Sequence, residues 1–207
     1  MRELLAGRGN DLAQQKRAQT TREAIIRGAA EIFESYGYGS ATLSDIIQRS
    51  GVTKGSLYFH FSSKEALAHA VVEAQHKLSF SSGQNPALQS DSAIETMMRV
   101  CQQFGEQLQT EPIVRAGIRL TLEASMFEKP VISPYIDWMK QFELLIQQGI
   151  DDGEIRSTID PAALARFIVP AFTGVQMVSD LLTGHEDMLE RIDDMWMFLL
   201  PALRPGE

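Results

Sequence analysis

The sequence is poor in the features that many structural frameworks require. It contains a single cysteine, Cys101, which excludes an internal disulfide. No continuous apolar run reaches the roughly 18 residues that a membrane-spanning helix needs, and the N-terminus lacks the apolar core of a signal peptide. Proline and glycine are sparse within the periodic segments, and alternating β-branched runs are missing. We therefore expect an all-α, cytoplasmic protein.

Catalytic and metal-binding motifs are missing as well. The four histidines form no His-Glu-x-x-His pair, and there is neither a Gly-x-Ser-x-Gly turn nor a Gly-rich phosphate loop. His69 and His76 lie seven residues apart on one predicted helix face, but packed or exposed histidines are far commoner than metal ligands. The sequence predicts no catalytic residue, no metal and no cofactor, and therefore no enzyme.

Charge is divided unequally along the chain. The net charge is −8, but residues 1–64 hold nine Lys and Arg against six Asp and Glu, whereas residues 65–207 hold ten against twenty-one. A mildly basic N-terminal segment is compatible with nucleic acid, while the acidic remainder weakens non-specific attraction to phosphates. Affinity for DNA would then depend on a few well-placed contacts and on dimerisation.

Residues 42–61, TLSDIIQRSGVTKGSLYFHF, predict a helix-turn-helix. Three apolar residues at helical spacing define its first helix: Leu43, Ile46 and Ile47. Gly51 provides the left-handed position that ends this helix, and Thr53 can cap a second one. The second helix is short, opens with Lys54 and Gly55, and would turn Leu57 towards the core.

The run from Gly51 to Glu65 resembles the DNA-binding motif of TetR-type bacterial repressors. The resemblance implies base reading by Lys54, with close approach to the DNA at Gly55. It implies contacts with the DNA backbone by Thr53, Tyr58, His60 and Lys64, with Thr42 and Ser44 as weaker additions. Phe59 and Phe61 are expected in the core.

The remaining chain is expected to complete a protein of about nine helices. We expect residues 1–17 to form a flexible N-terminal arm, or simply a frayed basic terminus. Residues 18–64 are expected to form a three-helix DNA-binding domain, and residues 65–207 a ligand-binding and dimerisation domain. The first helix of the last domain should end near Lys77, before a loop at residues 79–92. Its two final helices are apolar on two sides, which predicts a homodimer joined through a four-helix bundle; the alternative buries both sides within one monomer.

Four separated segments resemble the γ-butyrolactone autoregulator receptors, a TetR subgroup: residues 51–61, 114–120, 137–138 and 172–176. The resemblance implies that Trp138 forms a wall of the ligand pocket, although a plain core tryptophan is the alternative. Phe142 and Phe172 would add apolar surface, and Thr173 and Gln176 would offer hydrogen bonds. Relatives often carry threonine where this chain has Ala171, so the polar anchor is expected to have moved or the ligand to differ.

Together these patterns predict a homodimeric repressor that binds a pseudo-palindromic operator in double-stranded DNA. A small hydrophobic lactone-like ligand would release it and thereby control secondary-metabolism genes such as those for antibiotics. Alternatives are a TetR-type repressor of an efflux or lipid gene that responds to a drug or acyl compound, and a pseudo-receptor or architectural DNA binder without a lactone ligand. A furan, a butenolide and an enzyme with an unrecognised site are further alternatives.

Overall fold

The computed structural model describes residues 2–83 and 90–205, with side chains described for residues 14–80 and 90–205. All regular structure within these ranges is helical, which confirms the predicted all-α class. The nine α-helices are α1 (Arg2–Ser40), α2 (Leu43–Ser50), α3 (Lys54–His60), α4 (Lys64–Gly83), α5 (Ala93–Thr110), α6 (Pro112–Leu122), α7 (Ser133–Asp151), α8 (Pro161–Thr183) and α9 (Met188–Leu203), with a short 3-10 helix at Ala124–Met126.

Helix α1 differs from the sequence expectation, because it begins at Arg2 and includes the segment expected to be an irregular arm. Residues 2–17 are rich in Leu, Ala, Gln and Arg, which favour a helix even where no apolar stripe exists. Helix α4 likewise continues past Lys77 to Gly83, and it buries Ser79. Tertiary packing thus outweighs the weak helix preference of serine. Met1 and residues 84–89 of the predicted loop lie outside the described residues.

The chain divides into two compact units, but not at the predicted boundary after Lys64. The first unit contains the residues up to Gln75 together with Arg115–Val131, and the second contains His76–Val114 with the residues from Ile132 onward. Helices α4 and α6 therefore each contribute residues to both units.

Apolar packing at the centre of the first unit joins the helix-turn-helix to its flanking helices. The fully buried apolar side chains include Ile25, Ala29, Phe33, Ile46, Leu57, Leu67, Val71, Ala116 and Leu120. Because these residues come from α1, α2, α3, α4 and α6, the three predicted helices of the DNA-binding domain need two further helices to complete their core.

Residues 115–131 join the first unit through the end of α1. Arg119 donates from Nη1 to the main-chain oxygen of Glu34 (2.5 Å) and from Nε to Oε1 of Glu123 (3.0 Å). The backbone N–H of Tyr38 donates to Oε2 of Glu123 (2.6 Å). Gly37 has φ +71°, and a Cβ there would lie 2.8 Å from both Arg119 Nη2 and Glu123 Oε1. The ion pair thus closes over a backbone turn that only glycine fits.

The second unit is a helical body built from α5, α7, α8 and α9. Its buried apolar side chains include Met97, Leu108, Ile146, Ile168, Ile192 and Trp196. Two of its helices start at side-chain caps: Ser92 caps α5, and Oδ1 of Asp160 accepts from the N–H groups of Ala162 and Ala163 (3.0 and 3.3 Å) ahead of α8. Pro170 lies inside α8.

Helix α8 is long and apolar enough to cross a membrane by length and composition alone. The sequence showed no unbroken apolar run of this length, because residues such as Arg166 and Asp180 interrupt it. Core helices pass the same test, and α8 packs against α7 and α9 within the second unit. Its remaining apolar face is exposed and includes Phe167, Met177, Val178, Leu181 and Leu182.

Candidate functional site

The helix-turn-helix is held by local hydrogen bonds at the ends of its helices. The Thr42 hydroxyl accepts from the N–H of Asp45 (3.2 Å), and the N–H of Thr42 donates to Oδ2 of Asp45 (3.2 Å), which completes a capping box at α2. Gly51 ends α2 in the left-handed conformation, and the Thr53 hydroxyl caps α3 by accepting from the N–H of Ser56 (3.1 Å). These bonds fix where α3 begins relative to α2.

Most of the predicted DNA-contacting residues lie exposed on the helix-turn-helix. Thr42 and Ser44 are exposed near the start of α2, and Thr53, Lys54 and Gly55 are exposed at the start of α3. Among these predicted residues, Lys54 offers a cation, and Thr42, Ser44 and Thr53 offer hydroxyl groups, the donors that contact bases and phosphates.

The C-terminal part of α3 presents aromatic side chains. Tyr58 is 48% exposed, and Nζ of Lys54 lies 5.9 Å from the centre of its ring. His60 is half-buried and contacts the ring of Phe59 edge to face, with the centroids 5.1 Å apart. Tyr58 can therefore offer its hydroxyl group outward, while His60 is partly enclosed.

Lys64 makes contacts within the protein that the sequence did not predict. Its Nζ donates to the main-chain oxygens of Tyr38 (2.7 Å) and Ala41 (3.0 Å) and lies 4.4 Å from the centre of the Tyr38 ring. These contacts satisfy carbonyl groups at the end of α1, where no helical N–H reaches them. The ammonium group holds the connection between α1 and α2 together, and the sequence carries no local signal of this long-range contact.

The prediction that Phe59 lies in the core is wrong. Phe59 is 80% exposed, whereas Leu57 and Phe61 are buried. Leu57 and Phe59 lie about 200° apart around the axis of α3, so when one points inward the other points outward. Phe61 follows the helix in an extended conformation (φ −138°, ψ 121°), which turns its ring back to the core.

The predicted ligand residues Trp138, Phe142 and Phe172 meet in an aromatic cluster in the second unit. The ring centroid of Trp138 lies 5.5 Å from that of Phe80, 6.0 Å from that of Phe104 and 6.3 Å from that of Phe142. Phe104 also contacts Phe172 at 5.5 Å. Trp138 is half-buried, whereas Trp196, the other tryptophan, is fully buried. The two tryptophans thus differ, and Trp138 is the one with an open side.

Two members of this cluster, Phe80 and Phe104, are not among the predicted ligand residues. Phe80 falls in the segment expected to be a loop, so its place on α4 was not foreseen. Phe104 follows the apolar period of α5, and that pattern indicates burial without indicating a ligand.

Polar groups beside the cluster differ in whether they are already paired. The Thr173 hydroxyl donates to the main-chain oxygen of Val169 (2.9 Å), the common arrangement for threonine within a helix. Burial raises the pKa of the Tyr135 hydroxyl, and its side-chain hydrogen bond with Thr173 partly offsets this rise. Gln176 is 2% exposed, and its Oε1 atom has no hydrogen-bond partner among the described residues. Of the two predicted polar anchors, Gln176 is therefore the one left to bind something else.

A histidine and a carboxylate lie next to the aromatic cluster. Nε2 of His76 and Oδ2 of Asp137, the residue before Trp138, are 3.0 Å apart. The His76 ring also contacts Phe80, with the centroids 5.0 Å apart. This pair fastens the end of α4 to α7 beside Trp138. Over the described side chains, no group of three His, Cys, Asp or Glu residues is arranged to hold a metal ion.

Comparison with known families and proteins agrees with this arrangement. The model of the tetR family of bacterial regulatory proteins matches residues 25–71, and that of a tetracyclin repressor-like C-terminal domain matches residues 91–205. The A-factor receptor protein of Streptomyces griseus is 36% identical over 197 residues, which cover 94% of this chain and 68% of the relative.

Two solved structures extend the similarity to three dimensions. A γ-butyrolactone receptor described as ArpA-like is 31% identical with a TM-score of 0.77, covering 91% of this chain and 90% of the other. CprB of Streptomyces coelicolor, in complex with its biological operator sequence, is 31% identical with a TM-score of 0.79, covering 91% of each chain. Both units are thus matched.

Proposed function

Because the chain belongs to the TetR family of bacterial regulatory proteins, we propose that it is a homodimeric transcriptional repressor released by a small hydrophobic ligand of the γ-butyrolactone type. It binds a pseudo-palindromic operator in the cytoplasm, where the chromosome lies, and controls secondary-metabolism genes such as those for antibiotics. One observation carries the ligand assignment: the buried, unpaired amide oxygen of Gln176 lies one helical turn from Phe172, a member of the aromatic cluster.

The ligand chemistry follows from the cluster. Aromatic rings of Trp138, Phe104 and Phe172 offer an apolar wall for an aliphatic chain, and they offer no charge. Gln176 provides an amide, which can accept from a hydroxyl or donate to a carbonyl of the ligand. A neutral molecule with a long apolar part and one or two oxygen-bearing groups fits this combination, and a lactone with an alkyl side chain is such a molecule. The A-factor receptor and the ArpA-like receptor support this choice.

Operator binding is assigned to α2 and α3. We propose that Lys54 reads a base and that Thr53, Tyr58 and His60 contact the phosphate backbone, with smaller contributions from Thr42 and Ser44. Lys64 is left out of this set because its ammonium group binds the carbonyls of Tyr38 and Ala41. The operator complex of CprB supports DNA as the partner.

Dimerisation is assigned to the apolar surface that α8 and α9 leave exposed. Leu181 is 82% exposed on α8 and Phe198 is 77% exposed on α9, a large apolar area for a water-facing surface. Pairing these helices with those of a second copy would bury it in a four-helix arrangement. A dimer also places two copies of α3 on one DNA duplex. Two copies are needed because one short helix contacts too few base pairs for specificity.

Release requires a ligand that binds the DNA-incompatible conformation more tightly than the operator-binding one. Helices α4 and α6 each contribute residues to both units, so each is a continuous connection along which ligand binding can influence the helix-turn-helix. A coupling in the usual range corresponds to a loss of operator affinity of about 5- to 150-fold on ligand binding.

The test is a gel-shift titration with the purified dimer and DNA from its own upstream region. We expect γ-butyrolactones or butenolides to release the DNA at low concentration, and unrelated drugs or acyl compounds to have no effect. Trp138→Ala should bind the operator as the wild type does but remain bound when the lactone is added, whereas the exposed α7 variant Ile136→Ala should be released normally. If only unrelated compounds release the DNA, or if no compound does, the lactone assignment is wrong and the protein is a TetR-type repressor with another ligand or none.

A further inference from the structure

Phe59 is an apolar ring exposed on the helix that the helix-turn-helix presents to DNA. It is the most exposed aromatic side chain of the first unit among the described residues, at 80%. Its one recorded ring contact is the edge-to-face contact with its neighbour His60 at 5.1 Å. The ring therefore contributes little to the core of its own chain, and its position on α3 calls for a partner outside the chain.

Gly55 lies one helical turn before Phe59, on the same face of α3. A Cβ atom added at Gly55 would have no neighbouring atom within 4 Å, and Gly55 does not adopt a positive φ. No contact within the described part of the chain therefore requires glycine at this position. Because glycine has no side chain, the surface beside Phe59 is recessed, and another molecule can approach the backbone of α3 closely.

The chemistry of the ring limits what it can recognise. Phenylalanine has no donor or acceptor, so Phe59 cannot hydrogen-bond to a phosphate, as Tyr58 can, or to a base edge, as Lys54 can. In the major groove the apolar group presented by a base edge is the 5-methyl group of thymine, and apolar side chains contact it.

We propose that Phe59 is a specificity-determining residue whose ring packs against the 5-methyl group of a thymine in each operator half-site, with Gly55 allowing the approach. This inference rests on the proposed DNA-binding function and adds a base identity to it. Lys54 and Phe59 then read different chemical features of one half-site, a polar base edge and an apolar methyl group.

The test removes the methyl group alone. An operator is first selected from random duplex DNA with the purified wild-type protein, and each thymine is then replaced in turn by deoxyuridine. One thymine position per half-site should show a loss of affinity of about fourfold, and replacement in both half-sites a loss of about 15-fold, as expected for one buried methyl group at each contact. The other thymine positions should bind unchanged.

The variant Phe59→Ala should bind the thymine operator more weakly than the wild type and should bind the thymine and deoxyuridine operators equally at that position. Phe59→Leu should keep the preference, because its side chain is apolar. As a control, Leu144→Ala removes an exposed apolar side chain from α7 and should leave the preference intact. All three variants change an exposed side chain, either Phe59 or Leu144, and equal thermal midpoints would verify that the variants are folded.

Two results would overturn the inference while leaving the repressor in place: sequence-specific binding without any deoxyuridine-sensitive position, or a deoxyuridine effect that Phe59→Ala retains in full. Failure of the wild-type protein to select any DNA sequence would instead overturn the proposed function, and the inference with it.

Discussion

A Cβ atom added to Gly117 would lie 2.4 Å from the Cβ atom of Gln75, so α6 and α4 pack with no room for a side chain between them. Gly117→Ala should therefore force the helices apart and lower the free energy of unfolding by about 1–3 kcal/mol. Urea unfolding monitored by circular dichroism measures this change. An unaltered unfolding midpoint would show that α4 and α6 can separate at little cost.

Gly55→Ala is the matched substitution at an open site. An alanine in α3 meets no atom within 4 Å and favours the helix, so the free energy of unfolding should stay the same or rise by up to about 1 kcal/mol. Operator affinity should nevertheless fall, because the added methyl group occupies the space through which DNA approaches. Fluorescence anisotropy with a labelled operator measures it. Unchanged affinity would place Gly55 outside the DNA interface.

Lys54 and Lys64 should separate DNA recognition from stability. Lys54→Ala should lower operator affinity by about 1–3 kcal/mol with no change in the unfolding midpoint, because Lys54 is exposed. Lys64→Met should lower the free energy of unfolding by about 1–3 kcal/mol, since it leaves the carbonyls of Tyr38 and Ala41 without their donor.

The salt dependence of operator binding distinguishes the two roles of Lys64 directly. If Lys64 contacts no phosphate, the slope of log affinity against log salt should be the same for Lys64→Met as for the wild type. If the magnitude of this slope is smaller by about one in Lys64→Met, Lys64 contacts a DNA phosphate after all.

Leu181 and Phe198 test the dimer. Leu181→Glu or Phe198→Glu places a charge in the apolar surface of α8 and α9, so the protein should become monomeric. Its operator affinity should then fall by at least about tenfold, because two linked helix-turn-helix elements no longer bind one operator together. Analytical ultracentrifugation gives the association state. Leu144→Glu, at an exposed site on α7, is the control and should stay dimeric. A dimeric Leu181→Glu variant would move the interface elsewhere.

Asp187 should make stability depend on pH at the acidic end. Hydrogen bonds from Ser179, Thr183 and Arg191 lower its pKa from 3.8 to about 2 in the folded protein. The folded state therefore favours the charged carboxylate, and the resulting stability is present above about pH 4 and is lost as the pH falls towards about 2.

Urea unfolding at about pH 5 and about pH 2.5 measures this dependence. Asp187→Asn should show a smaller loss of stability between the two values than the wild type, whereas Asp194→Asn, an exposed position on α9, should behave as the wild type does. Equal losses in all three proteins would contradict the contribution of Asp187.

Sequence reasoning succeeded where the interactions are local. The cap at Thr53 and the left-handed Gly51 involve residues within one helical turn, and the structure confirms both. Among the predicted ligand residues, Trp138, Phe142 and Phe172 meet in one cluster, but Phe80 and Phe104 were missed. Their contacts join α4, α5, α7 and α8, and such contacts leave no mark on any single helix.

The amino-acid sequence by itself determined the helical class and the helix-turn-helix, because apolar period and capping depend on residues close together in the chain. Only the tertiary structure decided that Phe59 points outward, that Lys64 binds the carbonyls at the end of α1 and that residues 115–131 belong with the first unit. These outcomes depend on which helices pack together, and a side chain's exposure and partners are set by that packing rather than by its neighbours in sequence.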